Sequence, residues 1–435
     1  MNIAIVGYGA QGASSFEYLN KPENSLTICD QNVDLEVPQG VNAQLGPDHL
    51  KNLGKFDLIY RAPIVHPADL VAANGPEILD KVWSNTNEFF KVCPSKNIIG
   101  VTGTKGKGTT STLIAKMLEA SGKKVHLGGN LGTPPLEMLK HNIQPEDWVI
   151  LELANFQLID LKFSPKIAVC LMVVPEHLDW HADMDEYVDA KSQLFINQTS
   201  DDIAVYFANN DVSEDIASAS EGKLIPFFAE PGAIVKNNKI MIDSQEICDV
   251  SEVKLLGEHN LQNICAAITA VWQAGIRDIS AIKGVVANFT GLPYRLEMIR
   301  ELNDVKYYND SFGTTPETAI VAYQSLTQPK VGIVGGSDKG VPFDEMAKVI
   351  ATNNTKALIT IGETGHKIAE LVRKENPNVE IVESLEKMTD VVAKAKELAT
   401  PGDAVLLSCG CASFGLFQNY KDRGDQFNQA VQSLS

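Results

Sequence analysis

No uninterrupted apolar run in the 435 residues approaches the roughly 18 that a membrane-spanning helix requires. The apolar start, Asn2–Val6, runs straight into Gly7 and is too short for the hydrophobic segment of a secretion signal. The expectation is a cytoplasmic protein with no membrane partner. Paired cysteines are missing as well. The seven present are scattered, and the closest two, Cys409 and Cys411, have a spacing that suits neither a zinc knuckle nor a redox pair. Buried free thiols in a reducing compartment are expected. Positive charge is scarce: 37 Lys and Arg stand against 55 Asp and Glu, for a net charge of −18. Sequence-independent binding of nucleic acid or of an anionic membrane needs a cationic face, and both are excluded on that ground. A local pocket for a small anion is not.

What is present is an alternation. Short apolar runs (Ile3–Val6, Leu26–Cys29, Leu58–Tyr60, Ile98–Val101, Trp148–Leu151, Ile167–Val173, Val331–Val334, Ala357–Ile361, Ala404–Leu407) are interleaved with helix-length amphipathic stretches such as Thr110–Ala120, Leu261–Gln273 and Met388–Ala399. Strands alternating with helices predict an α/β protein with parallel sheets covered on both faces. At roughly 150 residues per domain the length suggests three domains. Turn-like segments at Val92-Cys93-Pro94 and Thr290-Gly291-Leu292-Pro293 place the boundaries at 1–92, 93–293 and 294–435.

Three glycine-rich turns directly follow apolar runs: Gly7–Gly12, Gly100–Gly108 and Gly335–Gly340. In the first, Gly7-Tyr8-Gly9-Ala10-Gln11-Gly12 precedes a helix-like stretch. Asp30 closes the next apolar run at the distance where a dinucleotide fold places its ribose acid. Glycines allow close backbone approach to a phosphate, and a helix N-terminus adds amide donors. Any nucleoside diphosphate suits such a turn; the alternative is a tight connection that binds nothing. The second turn is more specific. Gly103-Thr104-Lys105-Gly106-Lys107-Gly108-Thr109-Thr110 offers backbone amides for phosphate oxygens, a lysine for the outer phosphates and a threonine hydroxyl for magnesium, which together predict ATP binding. The spacing is compressed relative to the common phosphate loop, and Gly108 stands where Ser or Thr usually follows the lysine.

Acids and histidines cluster just past two further runs. Glu152 follows Trp148–Leu151, with Asn155-Phe156-Gln157 behind it; Pro175-Glu176-His177-Leu178-Asp179-Trp180-His181 follows Ile167–Val174. In a parallel sheet the C-terminal strand ends share one edge, so Glu152 and His177 could both face the phosphates as magnesium ligands. The His177/His181 spacing would suit a zinc protease helix, but Leu178 occupies the place of its general-base glutamate, and that reading is rejected. Tyr187 and Lys191, four apart, share a helix face. Asn260 and Asn263 open an apolar helix, either to read a purine edge or, for Asn260, as its N-cap.

In this order the motifs resemble the Mur ligase family, the ATP-dependent amide ligases of peptidoglycan synthesis. The resemblance spans nearly the whole chain. It runs from the first glycine turn through Gly103–Thr110, Gly129-Asn130-Leu131-Gly132, Leu151–Gln157, Glu176–Asp179, Tyr187…Lys191 and His259-Asn260…Asn263 to Gly291–Arg295, Asn309-Asp310-Ser311, Gly335–Lys339 and Ser408…Ser413. It implies a Rossmann-like N-terminal domain for a UDP-sugar, a central P-loop ATPase domain and a C-terminal dinucleotide-fold-like domain that brings an amino acid. Lys107 would hold the β- and γ-phosphates, and Thr109 and Glu152 a first magnesium ion. His177 would hold a second, helped by Lys191 as a carbamate. Asn263 would contact adenine, and Arg295 and Asp310 the phosphates and ribose. Gly9, Ala10, Gln11, Asp30 and Asn130 would meet the UDP-sugar, and Thr314, Lys339, Ser413 and Tyr420 the amino acid. The motif order implies UDP-N-acetylmuramoyl-L-alanine and D-glutamate as substrates; a monomer is expected. The sequence departs from the family at Gly108, at Pro175, at Arg61-Ala62-Pro63 in place of a Ser-Pro-Gly-like turn, and at Phe312, where the family carries lysine. Three rivals are a folylpolyglutamate-type ligase, which shares the Gly108 loop, an NAD(P)-dependent oxidoreductase, and a nucleotide-binding regulator without turnover.

Overall fold

A computed structural model describes residues 1–130, 132–255, 257, 259–338 and 340–435. The chain divides into two compact units. One comprises residues 1–254 with 258–289, the other residues 255–257 with 290–435. The expected boundary at 293 lies four residues past the end of the first unit.

The first unit holds two parallel sheets. The N-terminal one contains β1 (Asn2–Val6), β2 (Ser25–Asp30), β3 (Asn42–Leu45), β4 (Leu58–Arg61) and β5 (Val82–Ser84), in the order β3-β2-β1-β4-β5. The second contains β6 (Ile98–Thr102), β7 (Val125–Gly129), β8 (Trp148–Glu152), β9 (Ile167–Cys170), β10 (Ile203–Phe207) and β11 (Lys223–Phe227), in the order β11-β10-β9-β6-β8-β7. Every residue of β6, β8 and β9 is buried. Helices cover both faces of such a sheet, so its strands read as continuous apolar runs instead of alternating ones. A small antiparallel sheet, β12 (Ile234–Lys236), β13 (Lys239–Ile242) and β14 (Gln245–Asp249), completes the unit.

The boundary expected at residue 93 falls between the two sheets of this unit, and buried polar groups bridge those sheets. The Arg61 side chain, 1% exposed, donates through Nε and a terminal nitrogen to the two Asp160 carboxylate oxygens at 2.9 and 2.7 Å, and to the Phe156 carbonyl at 3.0 Å. Asn87 donates to the Asp160 carbonyl and accepts from the Lys162 amide, while Asn85 accepts from the Leu136 amide. Fork-to-fork Arg–carboxylate pairs of this kind fix orientation as well as distance.

The second unit carries β15 (Glu297–Leu302), β16 (Val305–Asn309), β17 (Lys330–Val334), β18 (Thr355–Thr360), β19 (Glu380–Val382) and β20 (Ala404–Leu407), in the order β15-β16-β20-β17-β18-β19. All its pairings are parallel except β15 with β16. No helix among the described residues is long and apolar enough to cross a membrane. All seven cysteines are free and buried, as expected.

Candidate functional site

The neighbouring strands β9, β6 and β8 end side by side, and the chemistry-bearing segments follow from those ends. After β6 the chain turns through Gly103 to Gly106 into the helix Lys107–Ala120. Gly103 (φ 139°) and Gly106 (φ 88°) have backbone conformations that side chains rarely adopt. A Cβ on Gly103 would lie 2.7 Å from that of Leu171, and one on Gly106 2.2 Å from Asn263 Oδ1. The loop is thus pressed between the chain leaving β9 and the helix His259–Gln273. Lys107 Nζ donates to the Gly103 and Thr104 carbonyls at 3.1 and 2.9 Å, folded over the loop it would open for a phosphate. Thr109 and Thr110 are buried in the first helical turn, where Gly108 also lies. Lys105 pairs with Glu176. Thr104 Oγ1 accepts from the Val174 amide and bonds Tyr187 Oη at 2.9 Å.

Lys191, on the helix Met184–Ser192, is fully buried beside this loop. Its Nζ donates to the Gly103 carbonyl at 3.0 Å and lies 4.4 Å from the centre of the Tyr187 ring. Burial, reinforced by the positive charge of Lys107, brings its ammonium down to about 7. His177 is half-exposed, with φ 58°, and its ring packs on Phe156 at 4.8 Å between centroids. Burial holds its imidazole below the ordinary range and so favours the neutral ring. Lys107 and Lys191 both donate to the Gly103 carbonyl, and the charges of both bear on His177. Glu152 ends β8, next to β6 through the Val101–Glu152 register, and its Oε1 accepts from Asn130 Nδ2 at 3.3 Å. The structure therefore gathers Lys107, Glu152, His177 and Lys191 at one sheet edge.

Asn263 is buried against the loop. Its Oδ1 accepts from Thr110 Oγ1 at 3.4 Å and its Nδ2 donates to Asn260 Oδ1 at 2.8 Å. Asn260 lies inside the first helical turn and is not the N-cap. In the N-terminal sheet, Gly9 caps the helix Ala10–Leu19, where Gln11 also lies, and a Cβ on Gly12 would sit 2.0 Å from the Gly7 carbonyl oxygen. The Asp30 carboxylate accepts from the Tyr8 amide at 2.7 Å and from the Asn32 amide, so it is tied to the turn itself.

The second unit collects the remaining residues. Ser337 pairs with Ala412, which brings the Gly335 turn against Ser413. Lys339 lies outside the described residues, as do Leu131, Leu256 and Glu258. Phe312 is half-buried. Tyr420 meets its ring edge-on at 5.2 Å, and the Arg295 guanidinium lies 4.4 Å above its centre. Position 312 thus lacks a cation of its own but holds one on its face. Thr314 follows in the same loop, half-buried. Asp310 is buried, accepting from Ser408 Oγ and the Leu296 amide, and burial pushes its carboxyl up to about 7. A cavity of about 660 Å³ opens beside Ser337 and Phe414, lined by Glu363 and Glu386 and by Glu383, which pairs with His366 and Arg373.

Sequence reasoning missed the roles of two buried arginines. The wholly buried Arg423 donates to Ser311 and to the Cys411 carbonyl, tying together the two loops beside Ser413. Arg61 registered only as a departure from a turn pattern. Its place at the end of β4 was the available signal, since a cation at a strand end faces the edge where ligands and neighbouring loops meet.

Comparison with known proteins agrees along the whole chain. Residues 101–271 match a family model described as the Mur ligase middle domain, and residues 294–411 one described as the Mur ligase, glutamate ligase domain. The UDP-N-acetylmuramoylalanine–D-glutamate ligases of Clostridium tetani and Clostridium botulinum are each 34% identical to this chain, over 99% of it and 96% of their own length. Among solved structures, UDP-N-acetylmuramate-alanine ligase from Thermotoga maritima shares the fold. Its TM-score is 0.59 at 16% identity, and the match covers 100% of this chain and 99% of that one.

Proposed function

Because the chain belongs to the Mur ligase family of ATP-dependent amide ligases, we propose that it joins D-glutamate to UDP-N-acetylmuramoyl-L-alanine, releasing ADP and phosphate. The observation that carries this reading is the full-length likeness to the D-glutamate ligases, combined with a phosphate loop whose lysine, buried second lysine and neutral histidine meet at one edge. The N-terminal turn at Gly7 to Gly12, with Asp30 bonded to it, supports a UDP-sugar module, which a folylpolyglutamate-type ligase gives no reason for. An oxidoreductase gives no reason for the loop at Lys107.

A carboxylate is a poor acyl donor, and ATP supplies the phosphoryl group that turns its oxygen into a leaving group. Lys107 swings from the Gly103 and Thr104 carbonyls to the outer phosphates, and the loop amides hold the rest. The residues fit magnesium: a carboxylate (Glu152), a hydroxyl (Thr109), and a neutral imidazole (His177). Lys191 with an ammonium near 7 is chemically prepared for modification. Its neutral amine attacks carbon dioxide, forms an N–C bond and loses a proton. The product is an anion where a buried cation stood, and that anion is an oxygen ligand. Magnesium held there would neutralise the charge developing on the phosphoryl oxygens. The D-glutamate amine then attacks the activated carbonyl, and phosphate leaves. In the second unit, Thr314, Lys339, Ser413 and Tyr420 would hold the amino acid, with Arg295 and Asp310 serving ATP. The three-domain division at 93 and 293 remains the functional one in this reading, with one substrate per domain.

Phosphate release measured with UDP-N-acetylmuramoyl-L-alanine and each of D-Glu, L-Glu and uncharged amino acids tests the proposal. Release that requires both the nucleotide sugar and D-Glu supports it. Release with an uncharged amino acid, or without the nucleotide sugar, overturns it.

A further inference from the structure

One polar cluster in the first unit lies outside these roles. His66 Nε2 and His181 Nδ1 both face a single oxygen of Glu186, at 3.3 and 3.1 Å, and the Ala182 amide donates to the same oxygen at 2.9 Å. Three donor atoms so close together have the outline of a metal site, but the hydrogen bonds on the far side of each ring argue otherwise. His66 Nδ1 accepts from the Ala68 amide at 3.0 Å and caps the helix Pro67–Asn74. Its proton is therefore on Nε2, pointing at Glu186. A metal on Nε2 would need an anionic ring or the loss of the cap. His181 Nε2 faces Asn155 Nδ2 at 2.8 Å, which leaves the proton on Nδ1, again toward Glu186. Turning the Asn155 amide over would aim the bare Nδ1 lone pair of a neutral His181 at a carboxylate.

The cluster leads to the magnesium turn. The His177 carbonyl accepts from the Trp180 and His181 amides at 3.1 and 2.9 Å, so the left-handed residue that carries the imidazole hangs from His181. Trp180 donates through its indole nitrogen to the Ile64 carbonyl at 3.0 Å, and its ring lies 4.2 Å from that of His66. Glu186 itself lies on the helix that carries Tyr187 and Lys191. One carboxylate thus joins the N-terminal sheet, the His177 turn and the Lys191 helix.

We propose that Glu186 is a positioning residue, which holds the His177 turn through His181 and anchors it to the N-terminal sheet through His66. This rests on the reading of His177 as a magnesium ligand. Long-range proton–nitrogen spectra of the unmodified protein must show His66 protonated on Nε2 and His181 on Nδ1. The opposite tautomer of either ring, or a bound metal at either, overturns the proposal. Mn²⁺ binding to the complex with a non-hydrolysable ATP analogue, followed by electron paramagnetic resonance, supplies the second readout. Glu186→Ala should weaken Mn²⁺ about 10-fold or more, the scale of lost outer-shell support. Glu186→Gln, whose amide oxygen can accept from the same donors, should stay within about 3-fold on that scale. Unchanged binding in Glu186→Ala, or equal loss in both variants, overturns the positioning role. His177→Ala separates the two claims: if it leaves Mn²⁺ binding unchanged, the ligand reading fails and the positioning role falls with it. If it weakens binding while Glu186→Ala does not, the positioning role alone fails.

Discussion

Replacing Lys191 by methionine tests the electrostatics of the site without any substrate. The ammonium is brought from 10.5 to about 7 in the folded protein, chiefly by burial. Below pH 7 the lysine is charged in both the folded and the unfolded chain, and the folded state carries the full penalty, roughly 5 kcal/mol. Above pH 7 the folded form sheds its proton while the unfolded form keeps it until about 10.5. The penalty therefore fades with rising pH, by about 1.4 kcal/mol per pH unit. The methionine variant has no such penalty, although it removes one of the two lysine donors to the Gly103 carbonyl, which costs about 1 kcal/mol at every pH. In carbon-dioxide-free buffers, chemical unfolding at pH 6, 7, 8 and 9 should show the variant gaining most on wild type at pH 6 and 7. The gap should then narrow at the stated slope. A gap that does not change with pH would refute the argument that Lys191 is a buried ammonium. Adding ¹³C-bicarbonate should give wild type, but not the variant, a carbamate carbon signal, and that signal should grow as pH rises through 7.

Four further outcomes follow from the proposed function. Lys107→Ala should keep the fold and lose ligation; near-wild-type turnover would remove the phosphate-binding role. Gly106→Ala should lose most ATP affinity, measured by calorimetry, because its Cβ meets Asn263 Oδ1 at 2.2 Å in a left-handed backbone; unchanged affinity would mean that the loop is not the nucleotide cradle. Lys339→Ala should lower kcat/KM for D-Glu by roughly 10–100-fold, the loss of a charge-assisted hydrogen bond. Phe312→Lys should leave D-Glu preferred over L-Glu, and a preference for an uncharged amino acid in either variant would contradict the pocket assignment.

The parts legible in the sequence are those where local pattern and tertiary role coincide. Each apolar run named from the sequence falls on a strand, because a sheet covered on both faces needs apolar residues at every position. The run expected to reach Val173 ends as a strand at Cys170 for a physical reason. Beyond it the Leu171 amide bonds Thr102 and the Met172 carbonyl accepts from Thr104, so the chain follows the phosphate loop instead of the ladder. Short, half-polar edge strands such as β3 and β19 carry no such signal. The Tyr187/Lys191 spacing revealed a shared helix face, but neither composition nor spacing shows that this face meets Gly103, 88 residues earlier. His66 and Glu186 are 120 residues apart, and their contact exists only because the N-terminal sheet docks on the second one. The resemblance to a family supplied roles for single residues; it did not supply the bonds between them.

The central claim is that the carboxylate of the nucleotide sugar is activated by phosphorylation before the amine attacks. UDP-N-acetylmuramoyl-L-alanine labelled with ¹⁸O in both oxygens of its terminal carboxylate tests this directly. Ligation with D-Glu and ATP should release phosphate carrying one ¹⁸O atom, because the carboxylate oxygen that takes the phosphoryl group departs with it when the amide forms. Phosphate free of ¹⁸O, released in step with ligated product, would contradict the account.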